Sequence, residues 1–474
     1  MTGPGRAAVA DRLGHEAGLA VDAVEAALDL LGGLEPAPDG LLKGDASPVT
    51  VADFAVQAVI ASRLGRARPD DSLVAEEDAA ALGGAPDLVR RVTAAVQRAD
   101  PAIGADQVLA WIDRGRGTDG GRFWTLDPVD GTRGWLRGGQ YAVALALVEQ
   151  GVVQAAALGC PRLSPGQLAA SAASQGHGAG GTAVAVRGRG AWWLARGGQK
   201  LVRLVTSRVG EPRRARVLHS VEATHSDAAM LGRVVAALGI EAPPGLMDSQ
   251  AKLVAVASGD ADLVLRFPTA PDRRAPIWDL AAGALVVEEA GGRVTDLRGR
   301  RFDFAAGRHM SGHEGLVASN GALHDAALAA VADLRAARAH WEHLPHDADI
   351  GVVGVGPTKA EAFRQAALAL TAIVTEPDRV RAVTPVALDC HAANDELLLV
   401  EWLNALIYEM AVRSMLFADF TVAIDDAGLH ATAIGEPVDR ERHEPAVEPK
   451  GATMTALRVV HGPDGWRAQC VVDV

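Results

Sequence analysis

Asp127 and Asp130 stand three residues apart in the segment WTLDPVDGTRGWLRG, directly after an apolar run at 124–126. Pro128 fixes its own backbone angle and Gly131 admits angles other residues avoid, so the chain is expected to turn sharply here. Such a turn aims Asp127, the Val129 carbonyl and Asp130 into one space, an all-oxygen set suited to a hard divalent cation. Thr132 ends it with a hydroxyl. Asp, Pro and Gly are also ordinary turn residues, so the pair alone does not make a site. Glu76, Glu77 and Asp78 follow an expected strand at 72–75, placing a carboxylate at a strand end, where open α/β sheets carry their active sites. A solvated acidic turn is the plain alternative. Asp279 precedes the helical run 280–290 and is expected in its first turn, where the helix dipole favours a carboxylate. Asp53 lies near the start of another helix, after Ser47, Pro48 and Thr50, where capping is its local role.

The elements that must carry these groups follow from periodicity. Apolar residues fall at helical spacing over 19–31 and 52–64. Strands are expected at 72–75, 124–126, 141–148, 181–187 and 217–220, with helices and strands alternating again over 226–292. That is the pattern of a layered α/β protein. The Gly- and Arg-rich stretch 114–122 reads as a mobile loop. An Ala-rich helix at 325–339 closes this region, and the pattern then restarts. The expected division is a domain over 1–332, a linker over 333–342 and a second domain over 343–474. In the second, helices are expected at 358–374 and 394–410, the latter with Leu398, Trp402 and Leu406 as a core stripe.

The 474 residues, 49% of them hydrophobic, exceed what one core normally absorbs. A formal net charge of −13 argues against general nucleic-acid binding, which relies on Lys and Arg. Cys160, Cys390 and Cys470 lie far apart, without disulfide or zinc spacing, so a reducing compartment is expected. No apolar run reaches the roughly 18–20 residues of a membrane span, and the start lacks the order of a signal peptide. A cytoplasmic protein with no membrane association is expected.

Six ordered blocks, SPVTVADFAVQ, VAEED, LDPVDGTRGWLRGGQYAVALAL, GCPRL, DSQAK and IWDLAAG, resemble the inositol monophosphatase superfamily, and within it the 3′(2′),5′-bisphosphate nucleotidases. The resemblance implies an α/β fold layered α/β/α/β/α and a Mg²⁺-dependent, lithium-sensitive phosphatase acting on adenosine 3′,5′-bisphosphate, an activity tied to sulfur assimilation. It assigns Glu76, Asp127 and the Val129 carbonyl to one Mg²⁺ and Asp127, Asp130 and Asp279 to a second, with room for a third. Asp53 and Thr132 would orient and deprotonate the attacking water, whose acidity the cation raises. Gly131, Thr132, His225, Ser249, Lys252 and Arg266 would surround the substrate. Lys252 and Arg266 suit a second phosphate, Lys as a point charge and Arg by bidentate bonding. Ala79 stands where the family often has Ser. A phosphatase for inositol phosphate or another small phosphate is the alternative, and a non-catalytic nucleotide sensor is the alternative from another class.

From Trp341 to the end, HLPHDADIGVVGVG, EAFRQAALAL, NDELLLVEWLNALIY, GEPVDRERHEP, VEPKGAT and VVDV resemble archease, a small α+β activator of the tRNA-splicing RNA ligase. By that resemblance Asp349 and Asp473 would hold Ca²⁺ or another hard divalent ion, with His346, Asp439, His443 and Lys450 supporting the acidic surface. The partner implied is the ligase, in tRNA processing, with no direct nucleic-acid contact. Asp347 stands where Thr is usual and Thr455 where His is common.

Overall fold

The computed structural model describes residues 4–36, 41–42, 48–117, 120–166, 179–222, 226–268, 275–305, 307–310, 312–336, 339–346, 349–425, 427–462 and 465–474. Contacts divide the chain into two compact units, Met1–Ala330 and Val331–Val474.

In the first unit the two helical periodicities become the helices His15–Gly32 and Val51–Ala67. Thr50 starts the second. Its hydroxyl accepts the Ala52 N–H at 3.1 Å, while Asp53 Oδ2 accepts the Thr50 N–H and hydroxyl at 2.7 Å each. This reciprocal cap satisfies donors that a helix end leaves without partners. The two helices pack on one face of a seven-stranded sheet. Its order is Ser72–Ala75, Arg122–Asp130, Ala142–Glu149, Val152–Cys160, Gly181–Val186, Gly190–Ala195 and Leu201–Arg203. The first pair is parallel and the others antiparallel. The middle strands are apolar along their whole length because both faces are covered. The helices Ala251–Ala257 and Ala281–Glu289 fill the second face and meet a five-stranded sheet. That sheet runs Gly245–Leu246, Val217–His219, Leu263–Arg266, Leu316–Ser319, Arg293–Thr295. The helix His324–Ala336 starts on its last two strands, with the buried His324 ring bonded to the Thr295 and Ser319 hydroxyls at 2.9 Å each. The layering is the expected α/β/α/β/α.

Two local expectations are corrected. The described part of 114–122 is pinned: Arg114 donates to three carbonyls, those of Arg68, Pro69 and Asp71, and the Gly117 N–H bonds to the Leu73 carbonyl at 2.9 Å. Asp279 sits in a tight 3₁₀ turn, Ile277–Asp279, and the α-helix begins only at Ala281, because Leu280 breaks helical geometry with ψ −34° at φ −139°.

The second unit pairs His340–His346, Asp349–Gly356, Gly465–Asp473 and Gly451–Ala452 in one sheet, with Arg458–Gly462 added to the third strand. Thr384–Cys390, Gly428–Pro437 and Met415–Asp425 form another. The helices Lys359–Val374 and Asp395–Arg413 share the core, where Leu398, Trp402 and Leu406 are buried as their spacing indicates. The stretch 333–342 holds the end of His324–Ala336 and the start of His340–His346. All three cysteines are buried and free.

Candidate active site

The turn after the strand Arg122–Asp130 is built around an irregularity. Asp127 faces Ala144 on the neighbouring strand and Asp130 faces Ala142, so three steps on one strand match two on the other. In a regular strand, residues three apart point to opposite faces. The extra residue restores the phase and turns both carboxylates to the face covered by the Ala281–Glu289 helix. Gly131 then adopts φ +85°, and a Cβ there would stand 3.2 Å from the Ser249 Cβ. Position 131 therefore requires glycine twice, for its backbone angle and for the close approach of the Ser249 segment.

Thr132 opens a short helix, Thr132–Leu136. Its hydroxyl lies 3.2 Å from Asp53 Oδ1 and 3.0 Å from the Val129 carbonyl. Asp53 is 1% exposed, so one carboxylate both caps its own helix and faces the motif turn. The local and the chemical readings of Asp53 coexist. Asp127 is buried at 3% exposure, Glu76 half-buried beyond the parallel strand Ser72–Ala75, and Asp279 half-buried on its 3₁₀ turn.

Burial, and then the Asp279 charge, raise the Asp130 carboxyl to about 7. The Gln250 N–H opposes this, donating to Asp130 Oδ2 at 2.5 Å. Lys252 is lowered to about 8 by burial, with Asp130 and Asp248 pulling the other way, and its ammonium donates to the Met247 carbonyl at 3.0 Å. Arg266 Nη1 pairs with Asp279 Oδ2 at 3.3 Å. Ser249 holds φ +65°, a costly angle for a residue with a side chain, and its hydroxyl accepts the Ala251 N–H. Gly131, Thr132, Ser249, Lys252 and Arg266 thus border the acidic turn. His225 lies outside the described residues.

The donors are all carboxylate or carbonyl oxygen, with no thiol or imidazole among them, which fits a hard cation such as Mg²⁺. Among the described residues no three His, Cys, Asp or Glu side chains are gathered into a ready ion cage.

Several neighbours were not legible as site residues. Arg308 donates to the Ala75 carbonyl at 2.6 Å, next to Glu76, and its guanidinium sits 5.0 Å over the Trp278 ring, next to Asp279. Arg137 bonds Asp248 at 2.7 Å and also Glu222, and Arg133 bonds Glu222 at 3.0 Å, tying the residues after the motif to the segment before Ser249. Gln57 and Gln250 bond the backbone on which the acidic residues stand. The Gln250 block was visible as DSQAK, but nothing in the sequence marks its amide or the Arg308 contacts.

In the second unit, the ladder between the strands Asp349–Gly356 and Gly465–Asp473 ends at Ile350 and Val472, and Asp349 and Asp473 are the next residues at that same end. The Lys450 N–H bonds the Asp473 carbonyl and its ammonium the Val474 carbonyl, both at 2.8 Å. Asp439 caps the turn Arg440–His443, and the fully buried His443 bonds the Asp439 N–H at 3.0 Å and Glu436 at 3.3 Å. Asp439 and His443 therefore hold that turn together. Asp347 and the His346 side chain lie outside the described residues.

Residues 14–336 match the inositol monophosphatase family and residues 341–474 the Archease protein family. A 3′(2′),5′-bisphosphate nucleotidase of Emericella nidulans is 38% identical over 320 residues, covering 63% of this chain and 91% of that protein. One of Oryza sativa is 39% identical over 306 residues, covering 61% and 85%. An IMPase structure from Thermotoga maritima aligns at 21% identity and a TM-score of 0.47, covering 68% of this chain and 98% of that one.

Proposed function

The chain belongs to the inositol monophosphatase family, with an archease-family domain over residues 341–474, and we propose on that footing that it hydrolyses the 3′-phosphate of adenosine 3′,5′-bisphosphate to give AMP and phosphate. The observation that carries the nucleotide reading is the seating of Ser249 against Gly131, with the Lys252 charge acting on Asp130 and Arg266 paired with Asp279. Two cations bordering a phosphate-cleaving turn suit a substrate with a second phosphate. The relatives named 3′(2′),5′-bisphosphate nucleotidases support it.

Glu76, Asp127, the Val129 carbonyl, Asp130 and Asp279 would hold Mg²⁺, which when bound supplies Lewis acidity at water and phosphoryl oxygen. The protein's own groups do the rest. Asp53, whose Oδ2 accepts two bonds from Thr50, takes a proton through the Thr132 hydroxyl as water attacks phosphorus in line with the 3′-oxygen, which leaves and takes up a proton from solvent. Lys252 and Arg266 steady the phosphate that is not cleaved, and Ser249 orients the nucleoside side. No covalent phosphoenzyme is required. Release of phosphate from adenosine 3′,5′-bisphosphate, inositol 1-phosphate and fructose 1,6-bisphosphate, with Mg²⁺ and with added Li⁺, tests the reading. The nucleotide should be turned over fastest and Li⁺ should inhibit; no release from the nucleotide removes it.

The archease-family domain is proposed to act on a tRNA-splicing RNA ligase, promoting its guanylylation through a divalent ion held by Asp349 and Asp473. The position of these two carboxylates at the same end of two neighbouring strands supports that reading.

A further inference from the structure

Two glutamines inside the first unit, Gln57 at 0% and Gln250 at 4% exposure, use both ends of their amides. Gln57 Nε2 donates to the Glu77 carbonyl at 2.7 Å and the Ile112 carbonyl at 2.8 Å, while its Oε1 accepts the Glu77 N–H at 3.0 Å. It stands one turn after Asp53 on the same helix face, so a single face presents Asp53 and grips the Glu76–Glu77 backbone. Gln250 Nε2 donates to the Trp278 carbonyl at 2.9 Å and its Oε1 accepts the Gly283 N–H at 3.1 Å, bracketing Asp279. Separately from the side-chain amide, the Gln250 backbone N–H donates to Asp130 Oδ2. A carboxamide offers donors and an acceptor in one plane and carries no charge at any pH, which matters beside four carboxylates.

We propose that Gln57 and Gln250 are positioning residues, two amide clamps that fix the backbone carrying Glu76 and Asp279 so that these carboxylates stand in place to hold divalent cations with Asp127 and Asp130. The inference rests on the metal-dependent reading of the site given above. Groups beyond the ligands themselves orient them, and losing such a group typically weakens ion binding by about 10–100-fold. The clamps join segments far apart in sequence: Gln57 spans 20 and 55 residues, and Gln250 spans 28 and 33. They therefore set the spacing between acidic segments, a property no single segment has.

The test uses the full chain with Mn²⁺ as the probe, in an Asp349→Ala background so that the C-terminal unit contributes no binding. Free Mn²⁺ is followed by electron paramagnetic resonance, and melting is recorded in chelator. Gln57→Met and Gln250→Met keep length and neutrality but lose the bonds; Gln57→Asn and Gln250→Asn keep an amide too short to span both partners. The expected result is Mn²⁺ affinity lower by about 10–100-fold in folded variants. At saturating Mn²⁺, the KM for adenosine 3′,5′-bisphosphate should stay within about threefold of the parent. Folded variants that bind Mn²⁺ like the parent overturn the proposal, and so does failure of all four to fold, which would make the amides supports of the core alone. A parent chain that binds no Mn²⁺ removes the metal reading itself, and the clamps with it.

Discussion

At the scale of single residues, the site depends on carboxylates whose local roles and chemical roles overlap. Asp127 is buried at a strand end where a bulge turns it beside Asp130, and Asp127→Asn should lower phosphate release by about 10³-fold or more, since a bound cation contributes several kcal/mol at the transition state. The melting temperature should be unchanged or raised; turnover equal to the parent would remove Asp127 from the cation site. Thr132 is the finer probe. Thr132→Val keeps the shape but loses the hydroxyl facing Asp53, and kcat should fall about 10²-fold with KM little changed, while Thr132→Ser restores it. The DxxD spacing raised Asp127 and Asp130 as candidates, and the role of Thr132 came only with the family resemblance. The amides of Gln57 and Gln250 were not, because polar residues inside a helical pattern look alike until their distant partners are known.

At the scale of elements, the helix starts are the clearest case of sequence chemistry dictating structure. Thr50 caps Val51–Ala67 through the bonds it exchanges with Asp53, and Thr50→Ala should cost about 1 kcal/mol, read as a lower urea midpoint of the first unit. His324 is a different device. Its ring is sealed between Thr295 and Ser319, and burial lowers it from 6.5 to about 4. The unfolded chain therefore binds a proton below about pH 6.5 that the folded chain refuses until about pH 4. This contribution is complete above pH 6.5 and is lost as the pH falls toward 4, by about 2 kcal/mol at pH 5. Unfolding of the parent followed at pH 7.5 and pH 5 should show that loss, and His324→Gln should flatten it; an equal slope in both would exclude His324 as the source. The helix itself was legible from its period. The pairing of its first residue with two strands was not.

At the scale of the whole molecule, each unit has its own core: one sheet-and-helix stack ending near Ala330 and one around Phe363, Trp402 and Phe417. No helix among the described residues is long and apolar enough to cross a membrane. A chain of residues 1–336 should keep the phosphate release of the full protein within about twofold, because all of its expected cation and substrate groups lie in that part; loss of turnover on truncation would show that the C-terminal unit is needed. For the C-terminal unit, Asp349→Ala should abolish acceleration of ligase guanylylation while leaving phosphate release intact, and unaltered acceleration would remove the Asp349–Asp473 reading. The sequence by itself determined the two-part organisation, the acidic motif turn and the order of helices and strands, because periodicity, turn residues and ordered motif blocks are local properties of the chain. The tertiary structure alone decided how the carboxylates are held: the bulge that rephases Asp127 and Asp130, the Arg266 pair with Asp279, and the two amides that lock segments 20 to 55 residues apart. Those depend on which distant backbone groups meet, and hydrogen bonds across such separations leave no periodic mark in the sequence.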